Sequence, residues 1–172
     1  MVVALAATGI VVSSSLASPE SKSPPRKVAV SGTGQDAMRF ASTARRRGTQ
    51  RWCLELAVHR RDDEQEGEVT AGWEGEGYCG TIRQEGAVSL AFACPYGVGA
   101  SGVARGRPEQ IEYVAGNGQR FPARIKRLRD RSGAGTLWAT AVATNQLPGR
   151  IVASSAGSDR TITELETLQG IC

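Results

Sequence analysis

The chain has 172 residues, enough for one ordinary domain plus a targeting segment and too few for a second domain with its own core. Hydrophobic residues make up 40% and charged residues 22%, a globular balance; aromatics are only 5%, so the core must rest on Val, Ile, Leu and Ala. The formal net charge is +4, and 18 of the 21 basic residues are Arg. Such a balance makes anionic surfaces natural neighbours, among them lipid headgroups, wall polymers and nucleic acid. Composition alone speaks of non-specific attraction and not of a site.

Residues 2–16 are apolar or small, and no charge appears before Glu20. This is the length of a signal-peptide hydrophobic region and is short of the roughly 20 residues that span a bilayer. Ser15-Leu16-Ala17 has the small-x-small form that a signal peptidase reads, and residues 18–26 follow as a Ser/Pro-rich linker. The organisation expected is therefore 1–17 as signal peptide or N-terminal membrane anchor, 18–26 as linker and 27–172 as one domain. The basic residues Lys22, Arg26 and Lys27 follow the apolar run and do not precede it, which keeps the uncleaved anchor as an alternative.

The domain opens on a short strand at 27–30, closed by Gly32-Thr33-Gly34, and a weakly alternating strand at 38–44, broken by Arg45-Arg46-Arg47-Gly48. The clearest strand is 51–59: Trp52, Leu54, Leu56 and Val58 share one face, and Cys53, Glu55, Ala57 and His59 the other. An acidic loop at 62–68 and short strands at 69–73 and 78–82 follow. Residues 88–93 are apolar apart from Ser89 and read as a central strand; 98–104 read as a Gly-laced one. Asn117-Gly118 between strand-like runs at 111–114 and 120–128 is the strongest hairpin signal, because both residues accept positive φ. Strands at 137–144, 151–153 and 161–163 complete the series, the last two around a Gly157-Ser158-Asp159 turn. Strands recurring every ten or so residues, with no long helical period, predict an all-β domain: an antiparallel, immunoglobulin-like β-sandwich or a partly open barrel.

Cys53, Cys79, Cys94 and Cys172 are the four cysteines. An even number behind an export signal suggests two disulfides, and four cysteines allow three pairings. None lies in a C-x-x-C pair and His59 is the only histidine, so no zinc-ligand spacing is present.

Several short motifs stand in a distinctive order: Trp52-Cys53-Leu54-Glu55-Leu56, Tyr78-Cys79-Gly80, Gly102-Val103, a hairpin ending near Pro122-Ala123, Leu137-Trp138-Ala139-Thr140, Leu147-Pro148-Gly149 and Ile151-Val152-Ala153 before Gly157. From Val28 to Ile162 the chain resembles uncharacterised exported or membrane-anchored small β-sandwich proteins of high-GC Gram-positive bacteria. The resemblance implies the fold and a Cys53–Cys79 bridge, and it carries no activity. Cys94 ends an apolar strand and Cys172 is the last residue; a bridge between them, expected as the second, would tie down a tail that otherwise frays.

The candidate chemistry is sparse. Gly97-Val98-Gly99-Ala100-Ser101-Gly102 matches G-x-G-x-x-G, but the dinucleotide motif needs a helix opening from it, and Gly106 and Pro108 prevent one. Any triad must use His59, whose neighbours Arg60 and Arg61 disfavour the imidazolium a general base forms. Glu55 has no second carboxylate placed beside it for glycoside hydrolysis. Asp62, Asp63, Glu64, Glu66 and Glu68 lack the spacing of a calcium loop. Arg124, Lys126, Arg127, Arg129 and Arg131 form the densest basic stretch; as a strand it sets Arg124 and Lys126 on one face and Arg127, Arg129 and Arg131 on the other. No aromatics interleave, so there is no specific nucleic-acid signal. The reading is an exported or membrane-anchored, non-catalytic binding module without cofactor or metal, whose basic stretch contacts an anionic envelope polymer or lipid headgroups. The alternative is an extracytoplasmic hydrolase using His59 or Glu55.

Overall fold

Alternating side chains sort this chain into strands whose two faces differ, and the strands assemble as three antiparallel four-stranded sheets. The computed structural model describes residues 27–48, 51–60, 78–83, 85, 88–130 and 133–167. The targeting and linker segments, the acidic loop, the strand expected at 69–73, Arg131 and Cys172 lie outside them.

Sheet A has the order β1 (Lys27–Thr33), β2 (Met38–Arg47), β3 (Arg51–Arg60), β4 (Cys79–Thr81). Sheet B has the order β5 (Val88–Ala93), β6 (Gly97–Arg105), β10 (Gly133–Ala143), β9 (Arg124–Asp130). Sheet C has the order β12 (Ser158–Leu165), β11 (Gly149–Ser155), β7 (Gln110–Ala115), β8 (Arg120–Pro122). The expected all-β antiparallel sandwich is what the chain forms, with a third layer added, and no sheet closes into a barrel.

The third layer follows from β6 and β10. Both are buried along nearly their whole length, so neither has a solvent face. Leu137, Ala139, Ala141 and Ala143 of β10 join the core against sheet A, together with Phe40, Trp52, Leu54 and Val58. Trp138 and Val142 of the same strand join the core against sheet C, with Ile111, Tyr113, Ile151 and Ile162. Small residues make this possible. A Cβ on Gly99 would approach Val58 of sheet A at 3.0 Å, and a Cβ on Gly102 would meet the Trp138 ring at 2.7 Å. The G-x-G-x-x-G run is thus the middle of a buried strand. One polar contact spans the A–B core: the buried Ser42 and Ser101 hydroxyls lie 2.5 Å apart.

Three expected elements need correction. The run 88–93 is β5, an edge strand and not a central one; its apolar character comes from belonging to the layer covered on both sides. The strand expected over 120–128 is two strands in different sheets. Phe121 pairs with Tyr113 in the β7–β8 hairpin that Asn117-Gly118 turns, and Gly118 has φ of +85°. Pro122 stands opposite Glu112, Ala123 still donates to the Ile111 carbonyl at 2.8 Å, and the chain then enters sheet B as β9. Finally, β2 continues through Arg45-Arg46-Arg47, because Trp52 and Cys53 of β3 hold Arg46 and Arg45 in register.

Replacing Gly102 with Val is expected to destabilise the fold by about 1–3 kcal/mol despite the better strand propensity, because the added carbons strike the fully buried Trp138 ring. A denaturant midpoint equal to wild type would contradict this account of the central layer.

Candidate functional site

Two groups of exposed cations stand out, one on sheet A and one along β9. On sheet A, strand alternation turns Lys27, Ala29, Ser31 and Thr33 of β1 outward. The register aligns these with Arg45, Thr43, Ala41 and Arg39 of β2, and these in turn with Cys53, Glu55, Ala57 and His59 of β3. Arg47 and Arg51 form the next pair beyond. Lys27, Arg45, Arg47 and Arg51 therefore crowd one end of the face, all exposed. Lys27 lies directly opposite Arg45, and Arg47 directly opposite Arg51. Like charges at opposed positions repel, each pair costing on the order of 0.2–1 kcal/mol.

The disulfide expected from the motif resemblance lies at this end. Cys53 and Cys79 are directly paired residues of β3 and β4, with Cα atoms 4.0 Å apart, and their bond closes a separation of 26 residues. By loop-closure entropy such a bridge contributes about 3–4 kcal/mol. It secures the three-residue strand β4, which pairs with the end of β3 that carries Arg51. Cys94 is also disulfide-bonded; its expected partner Cys172 lies outside the described residues.

Among the described residues Glu55 is the one acid on the outward face of sheet A. Arg45 Nε stands 3.5 Å from Glu55 Oε1, both side chains being about half exposed. An ion pair so open to solvent contributes little. His59 lies on the same face at the far end of β3, opposite Arg39. Glu55 and His59, each named separately for the hydrolase alternative, are four residues apart along an extended strand, about 13 Å. Arg60 points the other way and stacks on Tyr96, its guanidinium carbon 4.1 Å from the ring centre. No cluster of potential metal ligands occurs among the described residues.

The basic stretch singled out from the sequence falls in β9, the edge of sheet B beside β1. Arg124, Lys126, Arg127 and Arg129 are all exposed. Leu128 enters the core against sheet A and Ile125 packs against the core on the other side. Arg124 and Lys126 thus stand on the side of sheet A, with Arg124 lying over Gly32 of β1, and Arg127 and Arg129 on the opposite side, as the alternation predicts. The cations of sheet A were not singled out beforehand. Their signal was the run Arg45-Arg46-Arg47, read as a strand breaker; pairing it with Arg51 across the hairpin would have found them.

Sheet C carries charge of another kind, already neutralised. Arg120 of β8 reaches over the outward face of sheet C, with Nη1 2.9 Å from Glu112 and Nη2 2.7 Å from Asp159 of β12. Ser154 donates to the second Asp159 oxygen at 2.7 Å. Arg160 pairs with Glu85, whose carboxylate also accepts the Arg105 N–H at 3.0 Å. Arg120 and then Ser154 hold the Asp159 carboxyl below its ordinary range, and Asp159 and Glu112 hold the Arg120 guanidinium more firmly charged. Beneath, Tyr113 donates to the Gln146 carbonyl at 2.6 Å, and burial pushes its pKa up to about 12, so it remains a neutral phenol. No family model, no curated protein and no solved structure matches the chain.

Because the Asp159 pKa is lowered by folding, its contribution to stability is complete above the ordinary value near 3.8 and is lost as pH falls through the lower folded value. Asp159→Asn is expected to lower the denaturant midpoint at neutral pH and to converge with wild type in acid. A difference that persists unchanged below the carboxylate range would show that Asp159 acts otherwise.

Proposed function

We propose that this chain is an exported, non-catalytic binding module that engages an anionic component of the cell envelope. The observation that carries the reading is the accumulation of like charge at Lys27, Arg45, Arg47 and Arg51, in a corner where the fold opposes cation to cation. A folded chain gains nothing in stability from such pairs, and an anion set among them relieves the repulsion. The cations of β9 add a second basic row on the neighbouring edge. By contrast, Arg120 and Arg160 of sheet C stand in ion pairs with Glu112, Asp159 and Glu85.

The extracytoplasmic location rests on cysteine chemistry and on the N-terminal segment. Disulfides persist in oxidising compartments, and the Cys53–Cys79 bridge agrees with one. The apolar run at 2–16 before Ser15-Leu16-Ala17 supports export with cleavage or anchoring there. The motif resemblance to exported β-sandwich proteins supports the same placement.

The test is binding of the oxidised protein to envelope material and to vesicles rich in anionic lipid, over a series of salt concentrations. Exposed charges are screened within about 8 Å at physiological ionic strength, so the reading predicts binding at low salt that weakens steeply as salt rises. Absence of binding at low salt, or binding indifferent to salt, contradicts it.

A further inference from the structure

The two basic rows of this protein have different physical accounts. The β9 cations line an open sheet edge, where Lys and Arg side chains block edge-to-edge pairing with another chain. Arg45, Arg47 and Arg51 have no such role. They lie on β2 and on β3, the two inner strands of sheet A; β1 flanks Arg45 and β4 flanks Arg51, and Arg47 stands two residues beyond the last β1 partner. Their charge faces outward from the flat of the sheet, where edge protection is not needed.

The rest of that face is level. Between the cationic end and Arg39 lie Ala29, Ser31, Ala41, Thr43 and Ala57, all small, with Glu55 beside Arg45. The Arg39 and Arg45 rows are six residues apart along β2, about 20 Å at strand rise. Among the described residues no Phe, Tyr, Trp or large apolar side chain stands on this face, whose one ring is His59 at the Arg39 end; the exposed Leu90 and Tyr96 belong to sheet B and the turn after it. The described face therefore offers no row of aromatic rings for successive bases and nothing to insert into a bilayer. It offers cations at both ends of a smooth track, and guanidinium groups match phosphate oxygens two at a time.

Resting on the anion-binding function proposed above, we propose that the outward face of sheet A binds a linear, phosphate-bearing polymer laid along the strands. Lys27, Arg45, Arg47 and Arg51 grip one end of the bound stretch and Arg39 the other, while the small residues between let it lie flat. Engaging both ends needs a chain long enough to cover the track, and the second contact is then made at high effective concentration. Length selectivity beyond the statistical gain from a long chain's many registers separates this site from a simple cluster of cations, which binds short and long chains equally per phosphate unit.

The experiment measures affinity of the full oxidised chain for long-chain polyphosphate, for tripolyphosphate and for phosphatidylglycerol vesicles, at fixed low salt. The expected result is at least tenfold tighter binding of the long chain per phosphate unit, so that its many registers are already allowed for. Arg39→Gln should remove most of that advantage and leave tripolyphosphate binding unchanged; Arg47→Gln with Arg51→Gln should weaken both probes at least fivefold. The latter variant should also melt no lower than wild type, since it removes a repulsive pair, which separates lost binding from lost folding. Arg127→Gln with Arg129→Gln, on the far side of β9, should change polyphosphate affinity less than twofold. Equal affinity per phosphate unit for long and short phosphate, or full binding by the Arg39, Arg47 and Arg51 variants, overturns the proposal. If the β9 variant alone loses binding, or only vesicles are bound, the anion-binding function stands and this face is not its site. If wild type binds none of the three probes or envelope material, both fall.

Discussion

Burial of sheet B on both faces is the constraint on which the rest of this structure depends. A strand covered on one side alternates in polarity, but β6 and β10 are covered on two sides and are apolar or small throughout. Neighbouring layers can approach so closely only where side chains are short. Gly99 under Val58 is where the backbone of sheet B itself meets sheet A, and Gly102 makes room for the Trp138 ring of the paired strand within sheet B. Sheets A and C then need only one apolar face each, and the Ser42–Ser101 contact gives the A–B interface a fixed polar point within an apolar core.

The freedom this leaves on the outer faces is used differently on the two sides. Sheet C closes its charges upon themselves through Arg120, Glu112, Asp159 and Ser154. Sheet A keeps cations opposed to cations, in a corner braced by the Cys53–Cys79 bridge and by Trp52 in the core below. A layered fold can tolerate that repulsion because the buried faces of the same strands hold the register. The two-sided core thus permits a face on which, among the described residues, cation stands opposite cation, and the anion-binding function proposed above is built on that face.

Much of the fold was legible in the sequence, wherever one face of a strand meets water. Residues 51–59 showed their alternation openly, and the structure buries Trp52, Leu54 and Val58 while leaving Glu55, Ala57 and His59 exposed. Asn117-Gly118 declared its hairpin, in which Gly118 alone of the two takes a positive φ. The central layer was harder to read, because covering both faces erases the period of two. Hence 88–93 passed for a central strand, and Gly97 to Gly102 resembled a nucleotide loop. The crossing from sheet C to sheet B at Ala123 was hidden because 120–128 is extended on both sides of it; only Pro122 hinted at a break. At the candidate site, the face assignments of Arg124, Lys126, Arg127 and Arg129 followed from alternation alone. The sheet A cations depend on the β1–β2 and β2–β3 registers, which set Lys27 opposite Arg45 and Arg47 opposite Arg51.

Native-state hydrogen exchange tests the two-sided core most directly, because each layer's amides report the free energy needed to open it. The account predicts that the ladder amides of β6 and β10 exchange only through global unfolding, while those of β1 and β8 exchange through smaller openings. Exchange of β6 and β10 as fast as that of β1 and β8 would contradict it.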